Sequence, residues 1–266
     1  MRYYLDTEFI EGPQPKKFFG YTYGKTKPTI DLISIGIVSE EAPLFSTREG
    51  HTSDKYKSSR EYYAVSKDFN LDHAWKNKWI RKNVLLPIFR EFKAESIHDQ
   101  NFVRRYFGTA GAGFTKYHLK LLINFYGKSN KKIATEVLMF VNPPEEIKIP
   151  AEPEFWAYYA DYDWVVFCQL FGTMMDLPKG FPMYCLDLKQ LQDEITLQAT
   201  MWHIEMPERA RMHENGTFPI SREDHHKWVK TLPDYPQQKD EHNALADARW
   251  NKALHKFLNK LQFSTL

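Results

Sequence analysis

Apolar positions near the start of the chain follow strand spacing, and the pattern then turns helical. Residues 2–10 are apolar and aromatic apart from Arg2, Asp6, Thr7 and Glu8, and predict a first strand. Residues 30–38, Ile-Asp-Leu-Ile-Ser-Ile-Gly-Ile-Val, are rich in β-branched side chains and predict a second. Residues 61–66 predict a third. No convincing helical pattern separates these three, so antiparallel neighbours are expected. The connector from Glu40 to Arg60 is polar and reads as a hairpin tip.

Helical spacing begins at a cap on Asn70 or Asp72 and runs through Trp75 and Trp79, which are spaced for one buried face, and on through Val84–Phe92. Residues 93–130 predict two helices around the Gly-Ala-Gly break at 111–113. Ile133–Val141 predicts another, closed by Asn142-Pro143-Pro144. Residues 154–160 predict a fourth strand and 163–176 a helix. Pro182–Leu186 predicts a short fifth strand, with Asp187 capping the helix that follows. Residues 205–240 are loop-rich, with one helix near 221–230, and a last helix spans about 241–262. Strands that give way to alternating helices and strands describe an α/β fold with a mixed sheet. With no internal repeat or low-complexity linker, residues 1–266 are expected to form one domain. Insertions are expected at about 40–60, a loop, and 93–130, helical.

Composition narrows the function classes. A hydrophobic share of 42% supports a core, while a charged share of 26% and the lack of any long apolar run predict no membrane span. The N-terminus lacks signal-peptide features, so the expected location is cytoplasmic. Cys168 and Cys185 have no C-x-x-C or Cys/His spacing, which argues against zinc and for two reduced, buried thiols. A net charge of +2 is too weakly basic to argue for nucleic acid by itself.

Candidate chemistry starts at Asp6-Thr7-Glu8. On a strand, Asp6 and Glu8 point to the same face, and two buried like charges are costly unless a cation lies between them. Magnesium suits such oxygens. A solvated edge strand would need no metal. Asp161 and Asp163 flank Tyr162 where the fourth strand passes into a helix. His242 and Asp247 sit five apart at the start of the last helix, which turns them about 140° from each other and separates them by ~7.5 Å. That spacing suits a division of labour, with Asp247 on a metal and His242 on a water. A capped surface helix would carry the same two residues without chemistry. Ala244, Ala246 and Ala248 would let that helix lie close to the sheet.

Asp-Thr-Glu on a first strand, an Asp at a strand-to-helix junction and His-x-x-x-x-Asp near the C-terminus together resemble the DEDDh exonuclease superfamily. Tyr3–Ile10, Leu32–Val38, Glu61–Ser66 and Trp156–Gly172 look like the RNase AS type of 3′-5′ exoribonuclease. The resemblance implies an RNase H-like fold with a five-stranded mixed sheet. It implies a homodimer that removes nucleoside 5′-monophosphates from single-stranded RNA 3′ ends, with a preference for adenylate-rich RNA. It implies two magnesium or manganese ions per site. Asp6, Glu8 and Asp247 would hold the tighter one, and Asp6 would bridge to a second that Asp163 supports. His242 would be the general base. Asp163 is preferred to Asp161 because it directly precedes the helical run Trp164–Leu170 and matches the family position. The same residues would equally serve a DNA exonuclease, or survive in an inactive nucleic-acid-binding module.

Contacts beyond the metals are less determined. Thr7 and Phe9, next to the first motif, are candidates for gripping the 3′ end, although Phe9 could equally be core. The segment Gly12–Thr29 reads as a loop. It carries Lys16, Lys17, Lys25 and Lys27 with no acid, interleaved with Phe18, Phe19, Tyr21 and Tyr23. Lysines can track phosphates while aromatics stack bases. Arg104-Arg105 and Lys131-Lys132 read as solvated charge, His225-His226 as surface decoration, and His203, Glu205, His213 and Glu214 as lacking ligand spacing.

Overall fold

The computed structural model describes residues 1–19, 21–40, 61–99, 105–107, 112–142, 152–205 and 227–264. Residues 15, 17, 22, 199–205 and 262–264 are described by their backbone alone. Five strands form one mixed sheet in the order β3-β2-β1-β4-β5. β1 (Arg2–Phe18), β2 (Tyr21–Ser39) and β3 (Glu61–Val65) are antiparallel neighbours. β4 (Glu154–Ala157) and β5 (Leu186–Asp187) join in parallel on the other side of β1. With helices flanking the sheet, this is the RNase H-like α/β arrangement.

The helical segments are α1 (Leu71–Lys76), α2 (Leu86–Ser96), α3 (Lys116–Tyr126), α4 (Asn130–Val141), α5 (Ala160–Gln169), α6 (Leu188–Glu205) and α7 (Ala244–Ser264). Side-chain caps start several of them. Asn70, Thr115 and Ser129 each accept an N–H from the residue three positions on, which satisfies a donor the helix cannot. Asp187 does the same for Lys189 and Gln190, so the capping role expected of it holds. None of the described helices is long and apolar enough to cross a membrane.

Alternation along β1 divides its side chains between two layers. Tyr3 and Leu5 pack with Phe155, Trp164 and Phe167 under α5. On the opposite face, Tyr4 meets His255 of α7, and Ile10 joins Ile33 and the apolar faces of α2 and α3. A third cluster joins α6 to α7 through Leu188, Ile195, Leu254 and Leu258. Gly36 fixes how near α7 can come. A Cβ there would collide with the backbone carbonyl of Ala244, so only glycine lets the helix start rest on β2. Ala244 and Ala248 are fully buried in that contact, whereas Ala246 stays partly open.

Several boundaries differ from the sequence reading. The expected loop Gly12–Thr29 is a two-stranded ribbon, because β1 and β2 stay paired as far as Phe18 and Tyr21. β4 ends at Ala157 rather than 160: Tyr159 takes a left-handed backbone, φ 58°, and turns the chain straight into α5. The helix expected over 163–176 stops at Gln169. Gly172 follows at φ 129°, a backbone conformation open to glycine, before a short 3₁₀ turn, Met174–Asp176. The fifth strand is only Leu186–Asp187, and α7 starts at Ala244 rather than 241.

The helix expected through Trp75 and Trp79 breaks at Asn77, whose side chain caps the next turn by accepting from Trp79 and Ile80. A π-helical turn, Arg81–Leu85, then leads into α2. The two tryptophans therefore share no face: Trp75 packs on Phe114, and Trp79 is 52% exposed. The connector 41–60, Arg104, most of the predicted 221–230 helix, His213, Glu214, His225 and His226 lie outside the described residues. So do the side chains of His203 and Glu205.

Candidate active site

The ends of three segments meet in a cleft of 290 Å³. β1 contributes Asp6, Thr7, Glu8 and Phe9. The junction of β4 and α5 contributes Tyr158, Tyr159, Tyr162 and Asp163. The approach to α7 contributes Gln238 and His242, and its first two turns Asp247, Trp250 and Asn251. Of the sequence candidates, Asp6, Glu8, Asp163, His242, Asp247, Thr7 and Phe9 all line this cleft. Lys16 lies out on the exposed ribbon, and Lys17 is on it too. Asp161 is exposed on the first turn of α5 and does not line the cleft.

Local structure explains each placement. Because β4 stops at Ala157, the β1 edge beyond Tyr4 has no strand partner on that side. Asp163 takes the vacant position. Its Oδ1 accepts from the Thr7 backbone N–H at 2.8 Å and from the Thr7 hydroxyl at 2.6 Å. The Thr7 hydroxyl is thus used inside the protein, and Thr7 is 5% exposed. A register shift between Glu8 and Phe9 marks a bulge, which adds local twist, and these consecutive residues both line the cleft. The Phe9 ring stacks on Tyr162 with centroids 5.7 Å apart and also touches the core, so it sits at the boundary of the two roles expected for it.

His242 stands on a turn in which both it and Asp240 have left-handed backbones, φ 68° and 54°. Such conformations cost energy in non-glycine residues and persist where surrounding contacts impose them. The His242 N–H donates to Asp247 Oδ2 at 2.8 Å, and its Nδ1 lies 3.9 Å from Glu8 Oε1. Its ring makes an edge-to-face contact with that of Trp79, centroids 4.6 Å apart and planes 70° from each other. Gln238 donates to Asp247 Oδ1 at 2.6 Å. At the far side, Asn251 donates to the Leu5 carbonyl and ties α7 to β1.

The electrostatics are one-sided. Four carboxylates face the cleft, and among the described residues no Lys or Arg lines it. Burial, then the charges of Asp163, Glu8 and Asp247, hold the Asp6 carboxyl well above the usual carboxylate range. Burial and the Asp247 and Asp163 charges push Glu8 to about 8. Burial raises Asp163 to about 7 even though the Thr7 hydrogen bonds pull it down. Asp247 is also raised by burial, against the opposing pull of Gln238 and the His242 N–H. These oxygens are the donor set a hard divalent cation prefers, and their mutual repulsion is what such a cation would relieve. The residues present therefore fit a magnesium- or manganese-type ion. Among the described residues, one trio offers ligand atoms within 4.8 Å of one another: Glu8, His242 and Asp247. The tightest grouping thus puts His242, rather than Asp6, beside Glu8 and Asp247.

Over 194 residues the chain is 27% identical to 3′-5′ exoribonuclease Rv2179c of Mycobacterium tuberculosis (strain ATCC 25618 / H37Rv), covering 73% of this chain and 75% of the relative. 3′-5′ exoribonuclease MT2234.1 of Mycobacterium tuberculosis (strain CDC 1551 / Oshkosh) matches with the same identity and coverage. The chain is a distant relative of 3′-5′ exoribonucleases. No family model matches it. This kinship is consistent with a DEDD-type exonuclease and supports a nuclease-like hydrolase in general.

Sequence reasoning missed Trp79, Gln238 and the tyrosines of the β4–α5 junction. Trp79 is hidden by a helical spacing that Asn77 interrupts. Gln238 lies in loop-rich sequence with no pattern to mark it. Tyr162 has one signal, its position between two aspartates, which places it beside whichever of them enters the cleft.

Proposed function

We propose that the cleft is the catalytic centre of a two-metal-dependent 3′-5′ exoribonuclease of the RNase AS type. It releases nucleoside 5′-monophosphates from single-stranded RNA ends and works, as that type does, as a homodimer. One observation carries the reading: four carboxylates from three distant segments converge where, among the described residues, no lysine or arginine answers them.

Asp6, Glu8, Asp163 and Asp247 would hold the ions. When bound, two divalent ions supply the charge that lets a phosphodiester approach four carboxylates, acidify the attacking water and stabilise the leaving 3′ oxygen. The chain's own residues do the rest. Thr7 orients Asp163, and Gln238 with the His242 N–H orients Asp247. The His242 imidazole, at the partly open mouth, accepts a proton from the attacking water, a role an imidazole fills near neutral pH. Trp79 limits the positions that imidazole can take. The stacked Phe9 and Tyr162 rings offer a flat apolar surface to the terminal base.

The test uses 5′-labelled single-stranded RNA with magnesium. The expected result is a ladder shortening from the 3′ end, abolished by chelator and by Asp6→Asn. Equal RNA loss from wild type and Asp6→Asn would reject the proposed centre. Faster loss of a matched DNA would reject RNA as its substrate.

A further inference from the structure

The ribbon formed by the outer halves of β1 and β2 has no role in the cleft, yet its composition is unusual. From Gly12 to Ile30 it contains four lysines and no acid. Its outer end displays Phe18, Phe19, Tyr21 and Tyr23, from 68 to 87% exposed. Among the described residues the only ring contact these four make is with each other, Phe18 against Phe19 at 4.6 Å. Lys16, Lys25 and Lys27 are exposed beside them. Clustered exposed rings are disfavoured in water unless something covers them. The base of the ribbon is held firmly. The Gln14 backbone N–H donates to Thr26 Oγ1 at 2.9 Å, and the Gln14 side chain donates to Thr29 Oγ1 and to Asp31. A stapled base with bare rings at its tip suits a surface built for an occupant.

Position decides which occupant. The ribbon is the direct continuation of the strand that carries Asp6 and Glu8. Phe18 lies ten positions along the strand from Glu8, a reach of ~30 Å at strand rise. Positive charge without acids answers a phosphate backbone, and open ring faces answer unpaired bases.

We propose that this ribbon is a single-strand RNA rail, holding the nucleotides several positions upstream of the 3′ end while the cleft works on the terminus. This rests on the exonuclease reading and adds to it a dependence on substrate length. Short RNA reaches the cleft alone, and longer RNA also engages the rings and lysines of the ribbon.

The test is fluorescence anisotropy of labelled single-stranded RNA in chelator, where nothing is hydrolysed. It compares oligomers of about 4 and about 16 nucleotides, spanning the usual range of single-strand site sizes. Wild type should bind the longer RNA at least ~10-fold more tightly than the shorter. A variant combining Phe18→Ser, Phe19→Ser, Tyr21→Ser and Tyr23→Ser should lose most of that advantage. A separate variant with Lys16→Gln, Lys25→Gln and Lys27→Gln should reduce the salt dependence of long-RNA binding, by a log–log slope of about 0.7 for each phosphate no longer neutralised. Full retention of the length advantage in both variants overturns the proposal. So does a change in oligomeric state by light scattering with the advantage intact, which would make the ribbon an interface between copies. Hydrolysis of the short RNA by wild type with magnesium tests the catalytic reading separately.

Discussion

About two turns of α7 separate Asp247 from His255, and both side chains are buried, but their surroundings differ in kind. His255 Nδ1 shares a hydrogen bond with the Tyr4 hydroxyl at 2.7 Å, its Nε2 meets Asn259 at 3.3 Å, and its ring stacks on Trp156 with centroids 4.2 Å apart. Burial, helped by the Arg2 charge, lowers its pKa to about 4, so it is neutral and its polar atoms are answered within the protein. Asp247 also receives two hydrogen bonds, yet it faces Glu8, Asp6 and Asp163 with no lysine or arginine among the described residues of the cleft. Burial of polar groups is common to both ends. What separates them is charge of one sign left without an answer, and on the proposed reading that marks the functional end.

The largest expected effect breaks the functional end. If the proposed centre is right, Asp6→Asn should lower the rate of RNA hydrolysis at least ~10³-fold, because ligands of one centre act as a unit. It should also raise the melting temperature in chelator, since an amide, unlike the Asp6 carboxyl, needs no proton uptake to be buried beside the other acids. A variant that loses activity but melts lower would deny that repulsion shapes the cleft.

Divalent ions should substitute for that relief. Manganese at about 100 times its dissociation constant should stabilise wild type by about 2.7 kcal/mol, and Asp6→Asn by much less, in calorimetric melts. Equal stabilisation of both would place the ion elsewhere.

His255→Phe breaks the other end. It should cost about 1–3 kcal/mol by denaturant unfolding, since it leaves the buried Tyr4 hydroxyl without its partner. Hydrolysis well below the melting temperature should stay near wild type. A large loss of rate would join the two ends into one functional unit.

The two ends also give opposite pH responses. In the metal-free protein Glu8 (about 8) and Asp163 (about 7) lie above their usual 4.5 and 3.8, so the folded state keeps protons that the unfolded chain has released. Their contribution to stability is full below those usual values and falls as pH rises, being lost by about pH 8. His255 lies below its usual 6.5, so its contribution is full above 6.5 and is lost as pH falls toward about 4. Metal-free melts should therefore weaken as pH rises from about 4.5 to about 8, without opposition from His255 above 6.5, and added manganese should flatten that slope. The smallest effect sharpens the functional end: Trp79→Ala should lower kcat a few-fold while leaving KM and stability nearly unchanged.

Asp6, Glu8, Asp163, His242 and Asp247 stand out in sequence because charged residues interrupt apolar strands or helix starts, and the fold brings all five to one cleft. The three antiparallel strands and the parallel pair are legible from period and order. Trp79 is not, because helical spacing cannot show that Asn77 will end one helix and cap another turn. The ribbon reads as a loop because glycines, prolines and lysines suppress the strand signal, while cross-strand pairing extends it anyway. His255 and its partners carry no signal at all, since a satisfied buried histidine in a helix looks like any other.

The most direct test of the central claim is anomalous scattering from crystals grown with manganese and a nucleoside 5′-monophosphate. Two peaks about 3.5–4 Å apart are predicted, within reach of Asp6, Glu8, Asp163 and Asp247, with the phosphate beside them. Manganese bound only elsewhere, with the four carboxylates left facing one another, would contradict the account.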